Sequence, residues 1–177
     1  EGMAAYQKGD FATALREWQP LAESGNTDAQ FNLAQMYRNG LGVPADIQQA
    51  LLWYRAAAAQ GERYAQNEMG VLYHLGLGVT ADFAEAYRWY ALAAGQNLAG
   101  AAYGLGLLYD QGSGVARDPV KASNWYWKAA QQNHALAQFA LGLLRYAEIG
   151  DPTRFAEVEK WYLLAAKQGV TEAQVAV

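Results

Sequence analysis

One spacing constrains this chain more than any other feature: the same residues return every thirty-six positions. Ala29, Ala65, Ala101, Ala137 and Ala173 keep that step, as do Trp53, Trp89, Trp125 and Trp161, each followed by a tyrosine, Tyr54, Tyr90, Tyr126 and Tyr162. The step also relates Leu33, Met69, Leu105 and Leu141, the pairs Ala57-Ala58, Ala93-Ala94, Ala129-Ala130 and Ala165-Ala166, and Gln60, Gln96, Gln132 and Gln168. Only Trp18 and Trp127 of the six tryptophans stand outside the tryptophan column. A period of this length marks a repeat architecture, in which one unit cannot bury its apolar surface alone and must stack on its neighbours.

Within each unit the apolar residues recur at three and four, as in Ala29, Leu33, Met36, Tyr37 and in Ala50, Trp53, Tyr54, Ala57, Ala58, which predicts two helices. Between them stand Gly40-Leu41-Gly42-Val43, Gly76-Leu77-Gly78-Val79 and Gly112-Ser113-Gly114-Val115, whose glycines can take the positive φ that ends a helix. Asp46, Asp82 and Asp118 are placed to cap the second helix, and Pro119 suits its first position. The small residues Ala34, Gly70, Gly106 and Gly142 are expected to let the first helix approach its partner, and each Trp-Tyr pair to fill the groove against the next unit. The units run at about 1–26, 27–62, 63–98, 99–134 and 135–170 of a single repeat domain, with a further helix starting at 171–177.

The ends depart from this pattern. Residues Glu1 to Gly25 read as a unit without the long loop, with a first helix of about two turns. In the fifth unit Arg145 replaces the expected tyrosine and Glu148 the expected glycine, and Asp151-Pro152 is expected to move the start of the second helix upstream. The last residues restart a first helix, so the natural array or its caps are expected to extend further, and exposed terminal helices would permit self-association.

Composition removes several classes. With 53% hydrophobic residues in 177, the chain can bury a core and is not disordered. Thirteen Lys+Arg against 17 Asp+Glu, a net charge of −4, argue against a nucleic-acid binder. The absence of cysteine removes disulfides, thiolate nucleophiles and Cys-ligated zinc, and leaves the compartment open. Trp89 to Tyr109 is uncharged and long enough to span a bilayer, but its Gly95-Gln96-Asn97 cluster argues for a turn and against a transmembrane segment. His74 and His134 are the only histidines, and Ser24, Ser113 and Ser123 lie near turns or a helix start. No nucleophile-base set, metal site, phosphate loop or cofactor motif follows, so the chain is read as a non-enzyme.

The pattern resembles the Sel-one-like repeat (SLR) family of tetratricopeptide-type proteins. The residues that carry it are Ala65, Met69-Gly70, Tyr73, Gly76-Leu77-Gly78-Val79, Asp82, Ala86, Trp89-Tyr90 and Ala93-Ala94, with close copies on either side. The resemblance implies an all-α fold, a right-handed α/α superhelical solenoid of about five hairpins with first helices lining a concave surface. By the tetratricopeptide pattern the inward positions are Phe31, Gln35 and Arg38; Tyr64, Asn67, Val71 and His74; Tyr103, Leu107 and Asp110; and Phe139, Leu143 and Tyr146. Phe31, Tyr103 and Phe139 share one column, interrupted by Asn67, and Arg38, His74, Asp110 and Tyr146 share another, so an aromatic rail beside a polar ladder is expected, with His74 and Asp110 near each other.

The implied function is that of a non-catalytic scaffold or adaptor that binds a protein or peptide on this surface, as in bacterial envelope assembly, secretion or signalling. The alternative is a binder of cell-wall or exopolysaccharide fragments, whose sugars would stack on the groove aromatics. A cell-wall-directed enzyme using His74 is a third reading. A periplasmic or secreted location is expected because relatives are often exported, with the cytoplasm as the alternative.

Overall fold

The computed structural model describes residues 1–147 and 155–176. Among them are eleven α-helices and no strand: α1 (Gly2–Gln7), α2 (Phe11–Glu23), α3 (Thr27–Asn39), α4 (Ile47–Ala59), α5 (Arg63–Leu75), α6 (Phe83–Gly95), α7 (Ala99–Gln111), α8 (Pro119–Gln131), α9 (Ala135–Ala147), α10 (Phe155–Lys167) and α11 (Thr171–Ala176). The second helices start at Phe11, Ile47, Phe83, Pro119 and Phe155, and the first helices from Thr27 onward at Arg63, Ala99, Ala135 and Thr171, all in register with the sequence period. Glu148, Asp151 and Pro152, expected to distort the fifth unit, lie outside the described residues.

Local chemistry sets these boundaries. The carboxylates of Asp46, Asp82 and Asp118 accept backbone N–H groups of the second helix's first turn, from Gln48 at 2.9 Å, Ala84 at 3.0 Å and Lys121 at 3.0 Å. Asp10 does the same for α2, accepting from Thr13 N–H at 3.1 Å. First helices end where Gly40, Gly76 and Gly112 adopt φ of 67°, 68° and 71°. The glycine two places on has a packing reason as well: a Cβ on Gly42 would fall 2.8 Å from that of Phe11, at the start of the preceding second helix. At the next copy Gln48 Nε2 donates to the Gly78 carbonyl at 2.7 Å, so the long loop is part of the seam between repeats.

The chain divides into two compact units, Glu1–Leu92 and Ala93–Val177, with the division inside α6. In the first unit α2 and α3 enclose Ala14, Trp18, Ala22, Ala29, Leu33 and Met36. Next to this, α3, α4 and α5 enclose Ala34, Ala50, Leu51, Tyr54, Ala57, Ala58, Ala65, Met69 and Leu72. In the second unit the buried cluster is Ala102, Ala122, Tyr126, Ala129, Ala130, Ala137, Leu141 and Trp161, and a smaller one holds Ala165, Val170 and Ala173.

Each Trp-Tyr pair packs in more than one direction. The tyrosine of each Trp-Tyr pair is buried, as is Trp161, and the tyrosine packs back on its own hairpin: a Cβ on Gly70 would fall 2.5 Å from the Tyr90 ring, and one on Gly142 2.6 Å from Tyr162. Gly106 faces Tyr126 in the same way. The glycines are therefore required by ring contact, a closer approach than a helix crossing alone demands. Three of the tryptophans pack on clusters that include the preceding repeat, while Trp53 also packs on the α3–α5 cluster and Trp125 on that of α7, α8 and α9, both of which reach the next repeat. Trp53 lies against the α2–α3 cluster, Trp89 against the α3–α5 cluster, and Trp161 joins the cluster of α7, α8 and α9. Trp18, outside the tryptophan column, stands thirty-six residues before Tyr54 and does the tyrosine's work, with Gly2 pressed against its indole.

A buried glutamine column, unremarked in the sequence, also holds successive repeats together. Gln30 is buried, donates to Ala22 O of the preceding second helix at 3.0 Å, and accepts from Gln60 Nε2 at 2.7 Å. Gln138 repeats this with Ala130 O at 3.3 Å and Gln168 Nε2 at 2.8 Å. Each amide adds a second bond to a helix-end carbonyl that already accepts a turn N–H, Ala22 O from Gly25 and Ala130 O from Asn133.

Candidate functional site

The expected inward residues lie on first helices, and each unit carries its own set. In the first unit the Phe31 ring lies 6.0 Å from Tyr54 and 6.0 Å from Tyr64, so this rail position is wedged between the hairpin's core tyrosine and the next first helix. Tyr64 is 46% exposed, with the Arg63 guanidinium 4.9 Å from its ring centroid. Gln35 is partly buried and accepts a long bond from Asn39 Nδ2 at 3.4 Å. Asn67, where the rail is interrupted, is partly buried and its Oδ1 has no hydrogen-bond partner.

The polar ladder of this unit is largely neutralised. Arg38 donates to the carboxylate of Glu68 on α5. Burial opposes its charge, and Glu68 and Tyr54 outweigh that, holding the guanidinium's pKa above its usual value. The Tyr54 hydroxyl is pushed up to about 12, first by burial and then by the Glu68 charge. His74 sits edge-on to Phe83 at 5.7 Å and to Tyr90 at 6.2 Å, and burial lowers its pKa, which favours the neutral ring.

In the second unit the Tyr103 ring lies 5.7 Å from Tyr126 and stacks at 4.8 Å on His134. His134 occupies the capping position of Asn26 and Glu62, and its Nδ1 accepts the Ala137 N–H at 3.2 Å. Phe139 lies 5.6 Å from Tyr162. Leu107 is partly buried, whereas Leu143 and Tyr146 are 47% and 58% exposed. Asp110 accepts from the Tyr126 hydroxyl at 3.4 Å, and Arg117 Nε donates to the Asp110 backbone carbonyl at 2.8 Å. His74 belongs to the first unit and Asp110 to the second.

The two columns thus share one design. Phe31, Tyr103 and Phe139 rest against Tyr54, Tyr126 and Tyr162, and about two helical turns further along the first helices Arg38, His74 and Asp110 stand beside Tyr54, Tyr90 and Tyr126. Leu136, 48% exposed on α9, and the cap role of His134 lie outside the expected site. The thirty-six-residue step from Tyr64 to Gly100 and Leu136, and from Asn26 to Glu62, Leu98 and His134, carried both signals.

Among the described residues no group of three or more His, Cys, Asp or Glu side chains could hold a metal ion. No described helix is long and apolar enough to cross a membrane, since α6 ends at Gly95 before α7 begins at Ala99.

Paired helices of constant length, repeated in register and joined through buried seams, define an α/α repeat solenoid. The family model described as Sel1 repeat matches residues 27–62, 63–98, 99–134 and 159–170, and the chain belongs to the Sel1 repeat family. It is similar to a solved structure of a protective antigen present in uropathogenic Escherichia coli strains, with 37% identity and a TM-score of 0.87. That match covers 97% of this chain and 38% of the antigen, so the chain spans well under half of that relative's length. It is also similar to a Sel1 repeat protein from Oxalobacter formigenes, with 30% identity, a TM-score of 0.88, and 98% and 71% of the two chains covered. No curated protein matches it in a sequence comparison. Sel1 repeat proteins are generally protein–protein interaction scaffolds and typically non-enzymatic.

Proposed function

We propose that this chain is a non-catalytic scaffold that holds a protein or peptide partner against the faces presented by its first helices. The observation that carries the reading is the row Leu136, Leu143 and Tyr146 on α9, large apolar side chains 48%, 47% and 58% exposed on a helix whose other side is buried in the core. Exposed apolar rows on a rigid element are what a partner's anchors need. The rings of Phe31, Tyr103 and Phe139 are already engaged by other aromatics, which favours a protein partner over stacked sugars. A periplasmic or secreted location is part of the proposal, supported by the likeness to a protein described as a protective antigen.

Truncating Phe31, Tyr103 or Phe139 would disturb packing on Tyr54, Tyr126 and Tyr162, so exposed positions are the better probes. Partners are captured from an extract of the source cell with the intact chain, with a Leu143→Ser, Tyr146→Ser variant, and with Trp127→Ser, which alters an exposed residue of a second helix. Loss of a partner with the first variant and retention with the second is expected. Equal capture by all three would refute the assignment to the first-helix face.

A further inference from the structure

The first-helix face of the second unit has a specific charge character. Over their full lengths α7 and α9 carry two charged side chains, Asp110 and Arg145. Arg145 stands in the column of Tyr37, Tyr73 and Tyr109, whereas Asp110 closes the row Tyr103, Leu107, Asp110, which repeats the row Phe139, Leu143, Tyr146 of α9. The face is therefore apolar over two helices, with one carboxylate at its edge.

That carboxylate is incompletely satisfied. Oδ2 receives a long bond from Tyr126 at 3.4 Å, Oδ1 lies 3.9 Å from Arg117 Nη2, and the side chain is 32% exposed. Arg117 makes its short bond, 2.8 Å through Nε, to the Asp110 backbone carbonyl instead, and its own side chain is 65% exposed. An ionised carboxylate can accept about four hydrogen bonds, so Asp110 has room for another cationic donor. The same column in the first unit is different: Arg38 is closed by Glu68, and His74 is half-buried among rings. The net charge of −4 favours encounter with a cation too.

We propose that this face receives an extended segment of a partner protein that carries two or three large apolar side chains and a lysine or arginine, the apolar groups lying on Leu107, Leu143 and Tyr146 and the cation pairing with Asp110. The inference rests on the protein-binding reading above and adds the chemistry of the partner. An acidic segment would meet Asp110 as a like charge on a face with no compensating cation in its row.

The test uses the full chain and a synthetic array of twelve-residue peptides, each with two leucine or phenylalanine residues at varied spacing and one Lys, Gln or Glu. Lysine members should bind about fivefold more tightly than their glutamine twins at low salt, the upper end for an exposed ion pair. Asp110→Asn should abolish that preference by weakening the lysine members about fivefold, to the level of their glutamine twins, and Arg117→Gln, which removes the competing cation, should widen it. Lysine and glutamine twins that bind alike, or a preference unchanged by Asp110→Asn, would overturn the proposal while leaving the docking face intact, provided Leu143→Ser still weakens binding. Binding indifferent to Leu143→Ser and Tyr146→Ser, or no bound peptide at all, would overturn the docking face and the proposal with it. Should Asp110→Asn fail to fold by circular dichroism, Arg117→Gln decides: a wider preference supports the assignment, and an unchanged one overturns it.

Discussion

Acid should loosen the start of α9, because its cap is a histidine. His134 Nδ1 accepts the Ala137 N–H at 3.2 Å, which it can do only while that nitrogen is unprotonated. Protonation removes the acceptor and places a positive charge at a helix N-terminus. A lost cap costs about 1 kcal/mol, and a cation at the positive end of the helix dipole adds about 0.3 to 1 kcal/mol, so about 1 to 2 kcal/mol is expected. Burial lowers the folded-state pKa of His134 below the usual histidine value. The stability is thus fully present above the unfolded pKa and is lost as pH falls through the folded one. The assay is amide exchange of α9, corrected for intrinsic rates, between about pH 8 and about pH 5. His134→Asn keeps a cap of the kind Asn26 provides on α3 and cannot titrate, so its α9 should show no such loss. His74 is also lowered by burial, and a His74→Asn control separates its contribution. An identical pH response in wild type and His134→Asn would refute the reasoning.

Three further outcomes follow from the packing. Gly106→Val drives side-chain carbon into the Tyr126 ring and should cost about 3 kcal/mol in urea unfolding, the upper range for overpacking. Gln30→Ala removes one buried bond to Ala22 O and one from Gln60, a loss of about 1 to 3 kcal/mol. A double-mutant cycle with Gln60→Ala should be non-additive, and strict additivity would show that the two amides do not act as a pair. Trp89→Ala, which strips a partly buried indole from the α3–α5 cluster, should lower the melting temperature by an amount equivalent to about 2 to 3 kcal/mol, and an unchanged melt would refute its seam role.

Much of the architecture was legible because repetition turns one local rule into five. The aspartate caps, the left-handed glycines and the helix pairs recur at a spacing that no local accident imitates, and each depends on residues close in the chain. The direction of the packing was harder to read. That Tyr90 turns back to Gly70 while Trp89 joins the cluster of α3, α4 and α5 depends on which side of α6 faces which helix, and adjacent positions on a helix point about 100° apart. The glutamine column went unread for a related reason: Gln30 and Gln60 are separated by thirty residues and meet only when the hairpin closes. Trp18 shows the limit most clearly, since it takes a tyrosine's place by shape and not by residue type.

The candidate surface divides in the same way. Its column positions followed from the period, but which of them are occupied by the protein itself did not. Arg38 and Glu68 stand thirty residues apart and neutralise each other across two helices, whereas Asp110 finds only distant partners and keeps its acceptor capacity. Periodicity by itself determined the repeat, its helices and its family, because these rest on contacts between near neighbours copied along the chain. Only the tertiary structure decided which side chains are consumed by the seams and which stay free for a partner, because burial and charge pairing depend on groups that the chain brings together from afar.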